Sequence, residues 1–312
     1  MNFYPYDPTD QKIKSPGGAI DRAFSAHLQV TAANAVANDS DGIMALTGLT
    51  AATQEITTGI TNPATTRNAT ITGNVSGITG TVTVNGTNIA DVAISEDLTA
   101  NGTSTVAGSK AFKTFTSVNL PVQTHTPAYQ TETITITGAP SSSGTITIAI
   151  TAAALGGASP ASVAVELDHT VQTTVTLVAA AIVEALNGDE TVSTAFTASN
   201  EAGVITITAK AYAANDATLS IGFTDTDTTG TTAGSSTNGT AGVAQDKISV
   251  GFGSKLGLPF KLAHNTCLYA FLDNTKESTA PTVTVSSTAI ENNTITLNSS
   301  LAGKVVDAYF LI

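Results

Sequence analysis

The stretch Lys247-Ile248-Ser249-Val250-Gly251-Phe252-Gly253-Ser254-Lys255-Leu256-Gly257-Leu258-Pro259-Phe260 decides how the chain is read. A β-type run, residues 247–250, leads into glycines at 251, 253 and 257, with Ser254 and Lys255 between the last two. The pattern invites comparison with phosphate-binding loops. A dinucleotide fingerprint, however, opens a helix whose N-terminus faces the pyrophosphate. Here Pro259 lies two residues past Gly257 and no helical periodicity follows. A Walker loop needs G-x-x-x-x-G-K-[ST], and Gly253-Ser254-Lys255-Leu256 lacks that order. The glycines read as structural, places where backbone passes close to a neighbour or a strand bends.

Working outward, composition agrees with a β reading. The 312 residues suffice for two domains with separate cores. Charged residues are only 12%, about half the usual share. Thr, Ala, Gly, Ser and Asn fill the gap, which suits short strands and small-residue turns better than long helices. The net charge of −12 sets the chain against nucleic-acid phosphates, so no direct DNA or RNA binding is expected. A single cysteine, Cys267, excludes an intrachain disulfide and a multi-cysteine zinc site. The start, MNFYPYDPTD, has neither a basic n-region nor an apolar h-region, and no run of 18 apolar residues exists. A signal peptide and a membrane partner are therefore not expected.

Residues 1–19, with Pro5, Pro8, Pro16 and Gly17-Gly18, read as an extended N-terminal arm. Residues 20–37 fit a helical face (Ile20, Phe24, His27, Leu28) and strand alternation (Phe24, Ala26, Leu28, Val30) equally; the strand is preferred. Strands are expected at 55–58, 68–72, 80–85, 92–98, 104–106 and 113–118, with turn signals at Asn74, Gly77, Asn85-Gly86, Asn101-Gly102 and Gly108. The pattern changes near Tyr129. Residues 133–137 and 145–150 alternate Thr and Ile or Ala with period 2 and predict a hairpin. Val171, Val175, Val178, Ile182 and Leu186 then predict a helix, with Asp168 or Thr170 as its N-terminal cap and Gly188 at its end. Strands follow at 194–199, 204–209 and 217–223, and the Thr/Gly/Ser-rich 224–242 reads as a loop. Beyond Val243 the chain again resembles its first 125 residues, with strands at 248–251, 266–272, 282–286, 294–297 and 305–312. Charge marks the same division. Between Thr126 and Asp246 stand eleven acids and one base, Lys210, which accounts for about −10 of the −12.

The segments "GFGSKLGLPFKLAHNTCLYAFLD" and "TAPTVTVSSTAIENNTITLNSSLAGKVVDAYFLI" resemble a family of tailed-bacteriophage head decoration (capsid cement) proteins. "EITTGITNPATTRNATITGNVSGITGTVTVNGTNIAD" and "VAGSKAFKTFTSVNLPV" fit the same family. In its shorter members the second pair runs almost directly into the GFG block, which implies that the intervening residues are an insertion. The insertion itself resembles small α+β modules of phage tail and fibre proteins. Combined with the composition break, the expected fold is mainly β. An antiparallel β-sandwich or barrel-like base is built from 20–125 and 245–312, and a small acidic α+β domain is inserted at 126–244. The resemblance implies a virion structural protein on the capsid surface, made in the host cytoplasm. Its implied partners are the major capsid protein and further copies in a homotrimer or other homo-oligomer. It carries no catalytic residues over.

No cofactor, metal or catalytic group is assigned from the residues. His264 and Cys267 sit three apart, but in a β context that spacing points them to opposite faces. Asn38-Asp39-Ser40-Asp41-Gly42 resembles part of a calcium loop without its later bidentate Glu, and Asp225 and Asp227 lie in a Thr-rich loop. Glu96 and Asp97 are adjacent, so in a strand they face opposite ways. No G-x-S-x-G elbow occurs. The candidate subunit or capsid interface is Phe112, Phe115, Phe252, Leu256, Leu258, Phe260 and the terminal run Tyr309–Ile312, in which Tyr309 and Phe310 are the largest residues. The alternative for each is burial in the base core, since anchors and core residues look alike in sequence. Two rival functions are a tail or fibre component and a glycan-binding or depolymerising virion protein. Against the second, aromatics are 5% and Trp is absent.

Overall fold

Among the described residues the strand pairings of the base are antiparallel, and one strand, Lys247–Gly257, pairs with three others. The computed structural model describes residues 6–7, 12–15, 18–21, 25–259, 267–286 and 288–311. The chain forms two units, residues 1–124 with 247–312, and residues 125–246.

In the first unit, Lys247–Gly257 pairs along one edge with Arg67–Gly73. Along the other it pairs first with Asp39–Gly48 and then with Thr294–Thr296. Val106–Phe112 and Thr282–Thr284 extend this sheet. A second sheet runs Gln54–Ile56, Thr114–Leu120, Thr81–Thr87, Ala93–Thr99. Alternating side chains from both sheets (Ile71, Val82, Val84, Phe112, Val118, Ile248 and Val250 among them) meet in one apolar cluster, the arrangement of a sandwich. A third sheet, Thr275–Lys276, Cys267–Leu272, Val306–Leu311, Ser25–Val30, closes a second cluster around Leu256, Leu258, Ile295, Val306 and Phe310. Lys247–Gly257 thus feeds Ile248, Val250 and Phe252 to one core and Leu256 to the other.

The glycines make that double role feasible. A Cβ on Gly251 would stand 1.9 Å from the Asp39 carbonyl oxygen, and one on Gly257 2.6 Å from Thr66 Cγ2. At Gly253 it would meet the Asn68 amide at 2.8 Å. Between Phe252 and Leu256 the register with Arg67–Gly73 shifts, and the irregularity is fixed by polar groups. Arg67 Nε donates to the Gly253 carbonyl at 2.7 Å, and the Lys255 N–H donates to Asn68 Oδ1 at 3.0 Å. Lys255 Nζ donates to the Gly108 carbonyl at 2.8 Å. The stretch that looks like a phosphate loop is therefore an irregular strand with its lysine committed to backbone.

The second unit has two antiparallel sheets. One contains Phe196–Glu201, Val204–Ala209 and Thr131–Gly138; the other contains Ala161–Leu167, Gly144–Thr151 and Ser220–Asp225. The Thr/Ile alternation places Ile134, Ile136, Ile146, Ile148 and Ile150 in the core, as period 2 requires. The helix Val175–Gly188 lays Val178, Ile182 and Leu186 on the same cluster.

Several expectations need correction. Described residues of the arm form a small meander, Tyr6–Asp7, Lys12–Ser15 and Gly18–Asp21, rather than one extended segment. The calcium-like residues Asp39 to Gly42 begin a ten-residue strand. Asn85-Gly86 is no turn but lies inside Thr81–Thr87; a Cβ at Gly86 would stand 1.9 Å from the Thr114 carbonyl oxygen. The helix cap is Thr174, which accepts from the Leu177 N–H, rather than Asp168 or Thr170. Asp168 instead closes its own turn by accepting from the Thr170 N–H and hydroxyl, which leaves Val171 exposed. Asp189 caps a short second helix, Glu190–Ala195, where a strand was expected to begin. Within 224–242 two short strands, Thr232–Ala233 and Thr237–Asn238, add to Thr131–Gly138.

Candidate interaction surface

Of the candidate interface residues, Phe112, Phe115, Phe252, Leu256, Leu258 and Phe310 are all buried. Phe112 and Phe115 stack at 4.9 Å in the first cluster, while Leu256, Leu258 and Phe310 share the second. Phe260 lies outside the described residues. Tyr309 reaches the surface.

Its position follows from the pleat. In Val306–Leu311, Val306, Ala308 and Phe310 point inward, so Asp307 and Tyr309 point outward. The neighbouring strand Cys267–Leu272 buries Cys267, Ala270 and Leu272. This is not a clean alternation, because the register shifts between Cys267 and Tyr269. Leu268 is the extra residue of that bulge, and both it and Tyr269 are exposed, Tyr269 at 53%. On the other side, His27 of Ser25–Val30 pairs directly with Tyr309.

The outer face is therefore aromatic. The His27 and Tyr309 rings stack at 4.5 Å and 9°, and Phe271 meets Tyr309 edge-on at 6.5 Å. Lys276 Nζ sits 4.9 Å over the Tyr269 ring. Asp307 Oδ1 lies 2.9 Å from His27 Nε2 and accepts from Gln29 Nε2 at 3.1 Å. Cross-strand pairs of this kind add only ~0.2–1 kcal/mol each to the sheet. A cluster of large rings left at the surface, beside one cation and one anion, suits the centre of a protein contact, where Tyr and other aromatics are enriched. Sequence patterns single out Tyr309 but not Tyr269, Phe271 or His27. The i, i+2 spacing of Tyr269 and Phe271 is visible in the sequence; the bulge that exposes Leu268 is not.

Among the described residues no three His, Cys, Asp or Glu side chains gather where they would hold a metal ion. Burial pushes the Cys267 thiol up from its ordinary value, away from the thiolate a nucleophile needs, and its Sγ lies 3.3 Å from the Tyr269 carbonyl oxygen. His264 is outside the described residues. Asp39, by hydrogen bond and charge, raises the Asp41 carboxyl above its ordinary value, and the Asp41 N–H donates to Asp39 Oδ1. Asp225 accepts from the Thr229 and Gly230 N–H groups and Asp227 from Thr145, so both serve turns. Glu96 accepts from Ser109 and Lys110, and Asp97 from Thr83. No helix among the described residues is long and apolar enough to cross a membrane. No protein-family model matches the chain, and no significant match was found among curated proteins or solved structures.

Proposed function

We propose that the chain is a non-enzymatic structural protein of a tailed-phage particle, a decoration (cement) protein whose base binds the outer surface of the assembled head. The observation that carries this reading is the aromatic face of the third sheet, with Leu268, Tyr269, Phe271, Tyr309 and His27 presented on antiparallel strands. The sequence resemblance to decoration proteins supports it. A surface that recognises several shell subunits at once stabilises only the assembled state, because binding energy is gained there and nowhere else. A homotrimer or other closed oligomer adds avidity to a modest single contact.

The test uses DNA-filled, tailless heads and the full chain. Wild type is expected to co-sediment at high copy number and to raise the temperature at which heads release DNA. Leu268→Ser/Tyr269→Ala, in which both residues are exposed, is expected to melt like wild type but to bind at least tenfold more weakly. Wild-type protein found on tails and absent from heads would assign it to the tail or fibre instead.

A further inference from the structure

The second unit carries a cavity of about 560 Å³ that a head-binding role does not use. It lies where the helix Glu190–Ala195 hands over to Phe196–Glu201, beside the segment that follows Val204–Ala209 and the turn Ala153–Ala158. Its walls are methyl groups and hydrocarbon: Ala154, Ala195, Phe196, Ala211, Ala213 and Leu219. The volume is that of a small-molecule site.

Four polar side chains at the cavity differ in how far they are committed, and the Thr194 hydroxyl donates to the Thr191 carbonyl of its own helix. Gln130 is used at both ends, Nε2 donating to the Asp216 carbonyl at 2.8 Å and Oε1 accepting from the Asp216 N–H at 2.7 Å. The Asp216 carboxylate accepts from the Ala153 N–H on one oxygen and from the Thr218 N–H and hydroxyl on the other. Lys210 differs. Its Nζ donates to the Ser193 carbonyl in the last turn of the short helix, and no carboxylate lies within ion-pair distance among the described residues. An ammonium has three donors, so two remain for water or a ligand. Lys210 is also the one base in a unit with eleven acids, and it stands at the cavity.

From this geometry we infer that the cavity binds a small amphiphilic monoanion, a medium-chain carboxylate, with its hydrocarbon against the alanine walls and its carboxylate on Lys210. The surrounding acids disfavour polyanions, and the wall offers one aromatic ring, Phe196, rather than the stacking faces a sugar needs. The inference does not depend on the capsid reading.

Decanoate and decyltrimethylammonium, which share a tail and differ in head charge, are titrated into the full-length chain by calorimetry below micelle-forming concentrations. Decanoate is expected to bind one per chain and the cationic amphiphile at least tenfold more weakly. Lys210→Glu is expected to weaken decanoate at least tenfold and Lys210→Arg to retain it. Ala154→Trp is expected to block it by filling the cavity, and Ala213→Leu provides a milder filling should that variant fold poorly. Absence of decanoate binding, equal binding of the two head groups, or unchanged affinity in Lys210→Glu with an unaltered melting temperature overturns the inference.

Discussion

His125 and Asp246, the first and last residues of the inserted unit, are joined by two hydrogen bonds. The His125 N–H donates to Asp246 Oδ2 at 2.8 Å, and His125 Nδ1 lies 2.8 Å from Asp246 Oδ1. One step further in, Ala128 and Val243 exchange both backbone hydrogen bonds. The unit's two ends are therefore adjacent, and its apolar cluster is drawn entirely from its own residues. Excised as residues 125–246, it is expected to fold alone and melt cooperatively. The remainder, with Thr124 joined to Lys247 through a three-residue Gly/Ser linker, is expected to keep its β circular dichroism. Calorimetry of the two pieces and the whole checks this; failure of either piece to show a cooperative transition refutes it.

Arg67 is 1% exposed and has no carboxylate partner among the described residues. Desolvation lowers its pKa to about 10. Its guanidinium donates to the Gly253 and Val36 carbonyls and to Asn38 Oδ1, and lies 5.1 Å from the Phe252 ring centroid. It ties the irregular part of the central strand to the segment leading into Asp39–Gly48. Arg67→Ala leaves the Gly253 carbonyl without its donor and opens a cavity, so a loss of about 3–5 kcal/mol is expected. Arg67→Lys reaches one acceptor instead of three and is expected to lose about half as much. Urea unfolding of the base without its insertion gives both values.

What was legible in the sequence is what local periodicity determines. The alternation of Ile146, Ile148 and Ile150 identifies a buried strand face because the pleat has period 2, and Val178, Ile182 and Leu186 identify a helix by the same logic. The acid-rich composition beginning near Thr126 lies beside the junction of the two units. Choices settled by distant partners were not legible. Asp39 to Gly42 carries turn-type residues, yet pairing with Lys247–Gly257 draws it into a strand. Asp168, Thr170 and Thr174 are all competent caps, and the first is consumed by its own turn. The aromatic face needs strands 280 residues apart in sequence, as the His27–Asp307 contact shows, together with a bulge at Leu268. Sequence patterns within one strand contain neither.

Glycine substitutions should separate positions where space is the constraint from those where it is not. At Gly251 a methyl group would stand 1.9 Å from the Asp39 carbonyl oxygen and 2.5 Å from the Ser40 carbonyl carbon, both backbone. Gly251→Ala must separate two paired strands, and a loss above about 3 kcal/mol or failure to fold is expected. At Gly188, the last residue of the long helix, nothing lies within 4 Å of the same methyl group. Gly188→Ala is expected to stabilise the inserted unit by about 0.4–1 kcal/mol, by restricting the unfolded chain. Thermal melts of the two variants should move in opposite directions.

The inserted unit should respond to acid through carboxylates that serve as hydrogen-bond acceptors. The Thr218 hydroxyl, with the Ala153 and Thr218 N–H groups, holds Asp216 below its ordinary 3.8 despite partial burial. The Thr170 N–H and hydroxyl do the same for Asp168. For Asp225, burial raises the value, but the Thr229 and Gly230 N–H groups outweigh it. A depressed carboxylate binds fewer protons folded than unfolded, so its stabilising contribution is complete above the unfolded value and is lost as pH falls through the folded one. Relief of repulsion among the unit's acids acts in the opposite direction, so the informative quantity is a difference between proteins. Asp216→Asn keeps the side chain's shape and removes its charge. It is expected to cost about 1 kcal/mol at pH 7. Because wild-type Asp216 loses its own charge in acid, that difference should shrink as pH falls below the ordinary carboxylate value and on through the lowered folded one. Paired melts of wild type and Asp216→Asn at pH 7, 4, 3 and 2 measure it, and a gap that stays constant across this range would show that the carboxylate's charge contributes nothing.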